Sequence, residues 1–237
     1  MQYYSQCKQD EFIDKIVFKK KESGYFIEIG AYDGITFSNT AFLEKERKWK
    51  GICVEPMPNA FNKLKSNRNC DLINGCIYSS EVTVEFLQVE GASEMLSGIS
   101  NTYDSRHCSR IDKEIVERGG DKKYIKVKAY NLNSLLEVRN IKIVDFCSID
   151  VEGGEWDVLQ SIDFSKITIK SFTIENNYKD NKIKNFMISK RYTYVGNLDM
   201  DEIYVSKEIT DVFSLKIWCN LYNLQLKFTS LKNRIFN

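Results

Sequence analysis

The amino-acid sequence predicts an α/β fold: a mostly parallel central sheet with helices on both faces and an antiparallel edge. Two observations predict it. Strand-length apolar segments alternate with amphipathic helical ones, the pattern of strand–helix–strand units. The apolar segments also end on a glycine or a carboxylate, as 25–29 runs into Gly30 and 143–149 into Asp150. Ligands of such sheets bind beyond the carboxyl ends of the strands, so those terminal residues are the ones to read.

Residues 6–20 read as a helix, with Phe12, Ile13, Ile16 and Val17 on one face. The first strand is 25–29, followed by a charged helix at 41–48 and a second strand at 51–54 that ends in Glu55 and Pro56. Residues 60–64 are helical, and 72–73 form a third strand. Segments 83–89 and 124–129 alternate as strands and border a loop-rich stretch, 91–120. The fourth strand, 143–149, is the clearest, and Trp156, Val158, Leu159 and Ile162 mark the helix after it. Strand 171–174 ends at Glu175, and 192–195 with 202–205 form the antiparallel edge. One Rossmann-like domain is expected over 1–207, with an amphipathic helical extension over 208–237. Trp49, Trp156 and most phenylalanines belong to the core.

A chain of 237 residues suits one domain of this kind, and 43% hydrophobic with 28% charged residues is an ordinary globular balance. The net charge of +1 argues against a broad nucleic-acid surface, which needs a basic excess. A single histidine and the absence of any Cys-x-x-Cys pair argue against a structural zinc site. Seven scattered cysteines, an odd number, suggest free thiols in a reducing compartment. The opening residues are polar, without a secretory signal. No apolar run reaches the roughly 20 residues of a transmembrane helix. A cytoplasmic location is therefore expected.

The loop after the first strand reads Glu28-Ile29-Gly30-Ala31-Tyr32-Asp33-Gly34. Its glycines allow a tight turn close to a ligand. A dinucleotide fingerprint would carry glycine where Tyr32 stands and no acid at the strand end. A carboxylate repels a pyrophosphate and attracts a methionyl ammonium, so the loop favours S-adenosylmethionine over a nicotinamide dinucleotide. Glu55 is placed for ribose hydroxyls or is a solvated loop residue. Gly75, Cys76 and Ile77 after the third strand are placed for adenine.

These residues, with Ser5-Gln6, Gln9-Asp10, Phe12, Ser38-Asn39-Thr40, Trp49-Lys50-Gly51, Glu55-Pro56, Asn59-Ala60-Phe61, Leu64, Ile149-Asp150-Val151-Glu152-Gly153, Glu155 and Ile174-Glu175-Asn176-Asn177, resemble the FkbM-type methyltransferases over about residues 5–205. The resemblance implies a class I methyltransferase fold, S-adenosylmethionine as donor, and a hydroxyl acceptor on a sugar, nucleotide-sugar or glycan. The family's Asn-x-Ala after strand three is Asn74-Gly75-Cys76 here. Gln6, Ser38 and Asn39 join the cofactor residues on the same ground.

Transfer to an alcohol needs a base. Asp150 is the first candidate, flanked by Glu152 and Glu175. Asp150 and Glu175 can instead hold a magnesium ion, and Asp150 can simply cap the helix that follows. His107, the one histidine, lies in the segment 91–120 and is either a second base over the acceptor or a surface residue. Tyr103, Arg106 and Arg110 beside it, and Asn176, are candidates for the acceptor, the arginines for an anionic group or for solvent. The stretch 209–236 is amphipathic, with Leu231 and Phe236 among its apolar residues. It can pack on the domain, pair with a second copy or lie on a membrane surface. Against the methyltransferase reading stand a dinucleotide oxidoreductase, an inactive binding module and a nucleic-acid ribose methyltransferase.

Overall fold

The computed structural model describes residues 2–235, and side chains as far as residue 229. From the N-terminus, α1 (Gln9–Phe12) widens into a π-helical turn over Ile13–Val17 and leads to β1 (Tyr25–Ile29), α2 (Ala41–Arg47), β2 (Lys50–Glu55), α3 (Pro58–Asn67) and β3 (Asp71–Asn74). An inserted unit follows: β4 (Cys76–Ile77), β5 (Thr83–Glu90), β6 (Gly98–Ile99), α4 (Ser105–Arg118) and β7 (Asp121–Tyr130). The chain then runs through α5 (Leu132–Glu137), β8 (Ile143–Ile149), α6 (Glu155–Ser161), β9 (Thr168–Glu175), α7 (Asn181–Ser189), β10 (Thr193–Leu198), β11 (Asp201–Val205) and α8 (Val212–Ile235).

The main sheet has the order β3-β2-β1-β8-β9-β11-β10, parallel except for β11, which lies antiparallel between β9 and β10. Strand order reverses between β1 and β8. Side-chain alternation along β1 sorts its residues between two cores. Ile27 and Ile29 pack with Ile52 and Val54 under α5, α6 and α7. Phe26 and Cys53 turn to the opposite face, against α1, α2 and α8. Alternation puts Glu28 on that second face too, and this decides its role.

The inserted unit has its own sheet, in the order β4-β7-β5-β6. Its helix α4 corrects the loop-rich reading of 91–120. The helix is largely polar, and its inner side carries His107, Ile111 and Ile115, four residues apart, of which the two isoleucines meet Leu87, Val89 and Leu96. Asp104 caps it by accepting from the amides of Arg106 and His107, and Gly119 at φ +74° ends it. α5 and α7 also lie where the sequence reading assigns no element.

α8 is part of the domain's packing, not a detached appendage. Leu215, Cys219 and Tyr222 are buried against the core that holds Phe12. A Cβ on Gly196 of β10 would stand 2.7 Å from Cys219 Sγ, so glycine lets the helix approach. The side chain of Leu231, and Phe236 altogether, lie outside the described residues.

The N-terminal segment that borders the site is tied down by a buried ion pair. Arg47 donates to Asp14 through Nε at 2.7 Å and Nη2 at 3.0 Å, and the Tyr3 hydroxyl adds a bond of 2.8 Å. Removing one member leaves the other charge buried and unanswered. Asp14→Ala is expected to lower the unfolding free energy by about 3 kcal/mol in urea titrations, and a loss below about 1 kcal/mol would show that the pair contributes little.

Candidate active site

A cavity of about 480 Å³ opens where the strand order reverses. Its floor is Gly30, Ala31 and Tyr32 after β1, Glu55 and Pro56 at the end of β2, and Gly75, Cys76 and Ile77 beyond β3. Asp150 and Glu152 follow β8, and Glu175 ends β9. Gln6, Gln9, Ser38 and Asn39 border one side, and Glu94, Ile99, Arg110 and Arg118 of the inserted unit border the other. Gly30 has φ +87°, and a Cβ there would fall 1.7 Å from the Asp150 carbonyl oxygen. Only glycine lets the ends of β1 and β8 meet this closely.

Glu28 corrects the expectation drawn from it. It borders the cavity, yet both its oxygens are taken by protein. Oε1 accepts from Ser38 Oγ at 2.9 Å and the Asn39 amide at 2.7 Å, and Oε2 from Thr40 Oγ1 at 2.7 Å and Arg68 Nη1 at 3.0 Å. Arg68 also reaches Glu44 and the Gly34 carbonyl. A carboxylate on the face of Phe26 and Cys53 sits under the 34–40 loop, so its counter-ion is a guanidinium and not a ligand's ammonium. Asp33 and Gly34 build this loop and do not border the cavity. Asp33 accepts from the amides of Ile35 and Thr36, and a Cβ on Gly34 would meet Leu64 and Arg68.

Glu55 accepts one amide on each oxygen, Tyr32 N at 2.8 Å and Met57 N at 2.7 Å. A lone pair of each remains for further donors. Tyr32, at φ 47°, extends its hydroxyl to Glu94 of the inserted unit. That bond joins the first loop to the cover.

Asp150, Glu152 and Glu175 each bring one carboxylate oxygen within 4.8 Å of the others. Burial shifts all three upward. Burial raises Asp150 to about 6, opposed by a hydrogen bond with Glu175. Burial and the Asp150 charge push Glu152 to about 8 and Glu175 well above the usual carboxylate range. Asp201, which accepts from Gln9 Nε2 at 2.6 Å, rises to about 7 from burial and from Asp150. Glu155, raised to about 7 by burial, accepts from the amides of Val151 and Gly153 and shapes the loop after β8. Asp150 does not cap α6, whose N-cap is Gly154.

The cover holds fewer of the expected residues. His107 is buried in α4 and does not border the cavity: Nε2 lies 3.3 Å from the Leu96 carbonyl, Nδ1 3.5 Å from the Tyr178 hydroxyl, and the ring packs on Tyr103. Desolvation holds its pKa below the ordinary 6.5, and both ring nitrogens are turned to protein groups and not to the cavity. Tyr103 donates to the Leu96 carbonyl at 2.8 Å, and Arg106 is exposed, paired with Asp104 and stacked on Tyr178. Asn176 is buried against Asp180 and Glu202, while Asn177 borders the cavity. Arg110 does face the cavity, 3.5 Å from Glu152, and shares Glu114 with Arg118. Arg118, Gln9 and Asp201 are cavity residues that sequence reasoning did not select. For Arg118 the signal was its position eight residues, two helical turns, after Arg110.

The family described as the Methyltransferase FkbM domain matches residues 28–199, well over half of the chain. The chain belongs to the FkbM methyltransferase family. No curated protein matches it. Among solved structures, the methyltransferase FkbM from Methylobacillus flagellatus KT is 12% identical at a TM-score of 0.48, covering 81% of this chain and 47% of that one. The present chain thus spans about half the length of that protein. A precorrin-6y C5,15-methyltransferase from Geobacter metallireducens GS-15 is 9% identical (TM-score 0.38, 78% and 71% covered), and a methyltransferase from Pyrococcus furiosus 13% identical (TM-score 0.40, 86% of each). The sheet of this FkbM domain is that of a class I methyltransferase.

Carboxylates raised in the FkbM domain bind more protons folded than unfolded between about pH 5 and 8, so stability falls as pH rises across that window. Glu55, raised to about 7 by burial, adds to Asp150, Glu152, Glu155 and Asp201. His107, kept neutral, acts the other way near 6.5, one group against five. The calorimetric Tm of the unliganded domain is expected to drop from about pH 6 to about pH 8, and a rise would contradict the unneutralised cluster.

Proposed function

We propose that the domain is an S-adenosylmethionine-dependent O-methyltransferase acting on a hydroxyl of a sugar, nucleotide-sugar or glycan-type acceptor that carries an anionic group. The observation that carries this reading is a floor of crowded carboxylates, at the strand-order reversal of an FkbM-family domain. Such a floor takes up positive charge. The residues present fit the cofactor. Gly30, Ala31 and Gly75 bring main chain to the cavity wall, where a ligand can approach the backbone closely. Glu55 keeps lone pairs for ribose hydroxyls, and Gly75, Cys76 and Ile77 make a wall for adenine.

S-adenosylmethionine, when bound, supplies a methyl group already activated on a sulfonium. The chain must align the acceptor, which is worth up to about 7–11 kcal/mol in the best cases, and take its proton, worth about 10²–10⁴-fold. Asp150, at the end of β8, would take the proton of the acceptor hydroxyl as the methyl group is transferred. Burial raises Asp150 less, to about 6, than Glu152, to about 8, which makes Asp150 the stronger acid of the two and the first to carry charge. Arg110 and Arg118 face the same cavity from α4 and would pair with a phosphate or carboxylate of the acceptor. An inactive binding module or a nucleic-acid ribose methyltransferase are the outcomes that the assay below separates.

A second use of the cluster is favoured by Glu175 Oε2, which is buried without a hydrogen-bond partner. Asp150, Glu152 and Glu175 would hold a magnesium ion, which would lower the pKa of the acceptor hydroxyl.

Labelled-methyl transfer to a panel of nucleotide sugars and phosphorylated glycans tests the reading, with calorimetry for S-adenosylhomocysteine. Asp150→Asn is expected to cut turnover by at least about 100-fold while S-adenosylhomocysteine still binds. Full activity in that variant would remove Asp150 as the base. Chelation by EDTA divides the two uses of the cluster: an unchanged rate leaves Asp150 as a metal-free base, and a loss restored by magnesium assigns the three carboxylates to the ion.

A further inference from the structure

We propose that α8 holds the domain on an anionic lipid surface, with its outer apolar stripe lying among the headgroups. The proposal is independent of the reaction. α8 is apolar on two opposite sides. Leu215, Cys219 and Tyr222 face the domain and are buried. On the other side stand Phe213 (78% exposed), Ile217 (45%), Leu221 (42%), Leu224 (51%) and Phe228 (68%). At 3.6 residues per turn these five fall within about 80° of arc, directly opposite the buried side, along a line of about 22 Å. Packing on the domain therefore accounts for only half of the apolar residues of the helix. A continuous line of five large side chains in water marks a contact surface.

Charge says what covers it. From Val212 to Ile235 the sequence has no aspartate or glutamate, and it has Lys216, Lys227, Lys232 and Arg234. Lys216 and Lys227 are exposed on one flank of the stripe, and Trp218, 43% exposed, is on the other. The shallow groove beside Trp218 is bordered by Lys15 and Lys19 and by Glu208 and Asp211, so the basic excess lies on α8 itself. A second copy of this helix, packed stripe to stripe, would bring its lysines toward a helix that carries no acid. An anionic bilayer answers them and takes up the stripe together with the indole. No described helix is long and apolar enough to cross a membrane, so the attachment is peripheral.

Sedimentation of the full chain with vesicles tests this, comparing phosphatidylcholine alone with phosphatidylcholine mixed with phosphatidylglycerol. The chain is expected to bind the anionic vesicles at least about tenfold more tightly, and to leave them at high salt. Leu221→Glu with Leu224→Glu, at exposed positions, should lose about tenfold in binding at an unchanged Tm, and Lys216→Glu with Lys227→Glu should lose a similar factor without touching the stripe. Blue-shifted emission on the anionic vesicles, absent in Trp218→Phe, would place the indole in the interface. A chain that stays in the supernatant, or that binds both vesicles alike, overturns the proposal. So does a dimer in light scattering that the Leu221 and Leu224 variant splits, with no vesicle binding; that result assigns the stripe to a second copy.

Discussion

A negative charge built into the interior, Glu28, and the Arg68 guanidinium that answers it are what the rest of the site depends on. An uncompensated carboxylate at that depth would cost several kcal/mol, and removing either member strands the other. With its partners in place, Glu28 gathers Ser38, Asn39 and Thr40 at the start of α2, while Arg68 joins the end of α3 to Glu44 of α2. The loop after β1 is thereby fixed from below. Fixed in that position, Gly30 can lie against the Asp150 carbonyl, and the ends of β1 and β8 form a single floor. The rigidity of the site starts from this pair, not from any residue that faces a ligand.

The same arrangement concentrates unneutralised charge one layer higher. Glu28 has its guanidinium, but Asp150, Glu152, Glu175 and Asp201 share only Arg110 and a few neutral donors. Burial first, and for Glu152, Glu175 and Asp201 the neighbouring Asp150 charge, raises their pKa values. Crowding of this sort lowers stability and is tolerated where a cation relieves it. A protein that assembled it without such use would give up stability for nothing.

Much of the fold was legible because it rests on period and composition. The strand 143–149 that ends at Asp150 and the antiparallel edge could be read directly. Glu28 was misassigned because its place at a strand end was weighed without its parity. Phe26 and Cys53 share its face, and that face is covered. α4 escaped notice because a helix on a small satellite core needs only a narrow apolar stripe, and its capping Asp104 and terminating Gly119 were stronger signals than its hydrophobicity. His107 looked available because a lone histidine beside arginines in a loop is exposed by default. Once the segment is a helix, the spacing of His107, Ile111 and Ile115 puts the ring on the inner side. The two arginines that do reach the cavity, Arg110 and Arg118, stand eight residues apart on the same helix.

The division of labour between the two sheets follows from which core each side of the cavity belongs to. The floor is made of strand ends, and its geometry cannot change without disturbing the cores above and below the main sheet. The outer part of the cover rests on a separate cluster, Leu87, Val89, Leu96 and Ile111, and meets the floor through polar bonds such as Tyr32 to Glu94 and Arg110 to Glu152, while Phe86 and Ile99 pack on Met57, Ala60 and Cys76 and anchor the unit at its inner end. Polar bonds across a cavity are replaceable by bonds to a ligand, whereas buried apolar contacts are not. The outer part of the cover, α4 and Glu94, is therefore tied to the main sheet by polar bonds, whereas the floor built on Glu28 and Gly30 is held from within the main sheet.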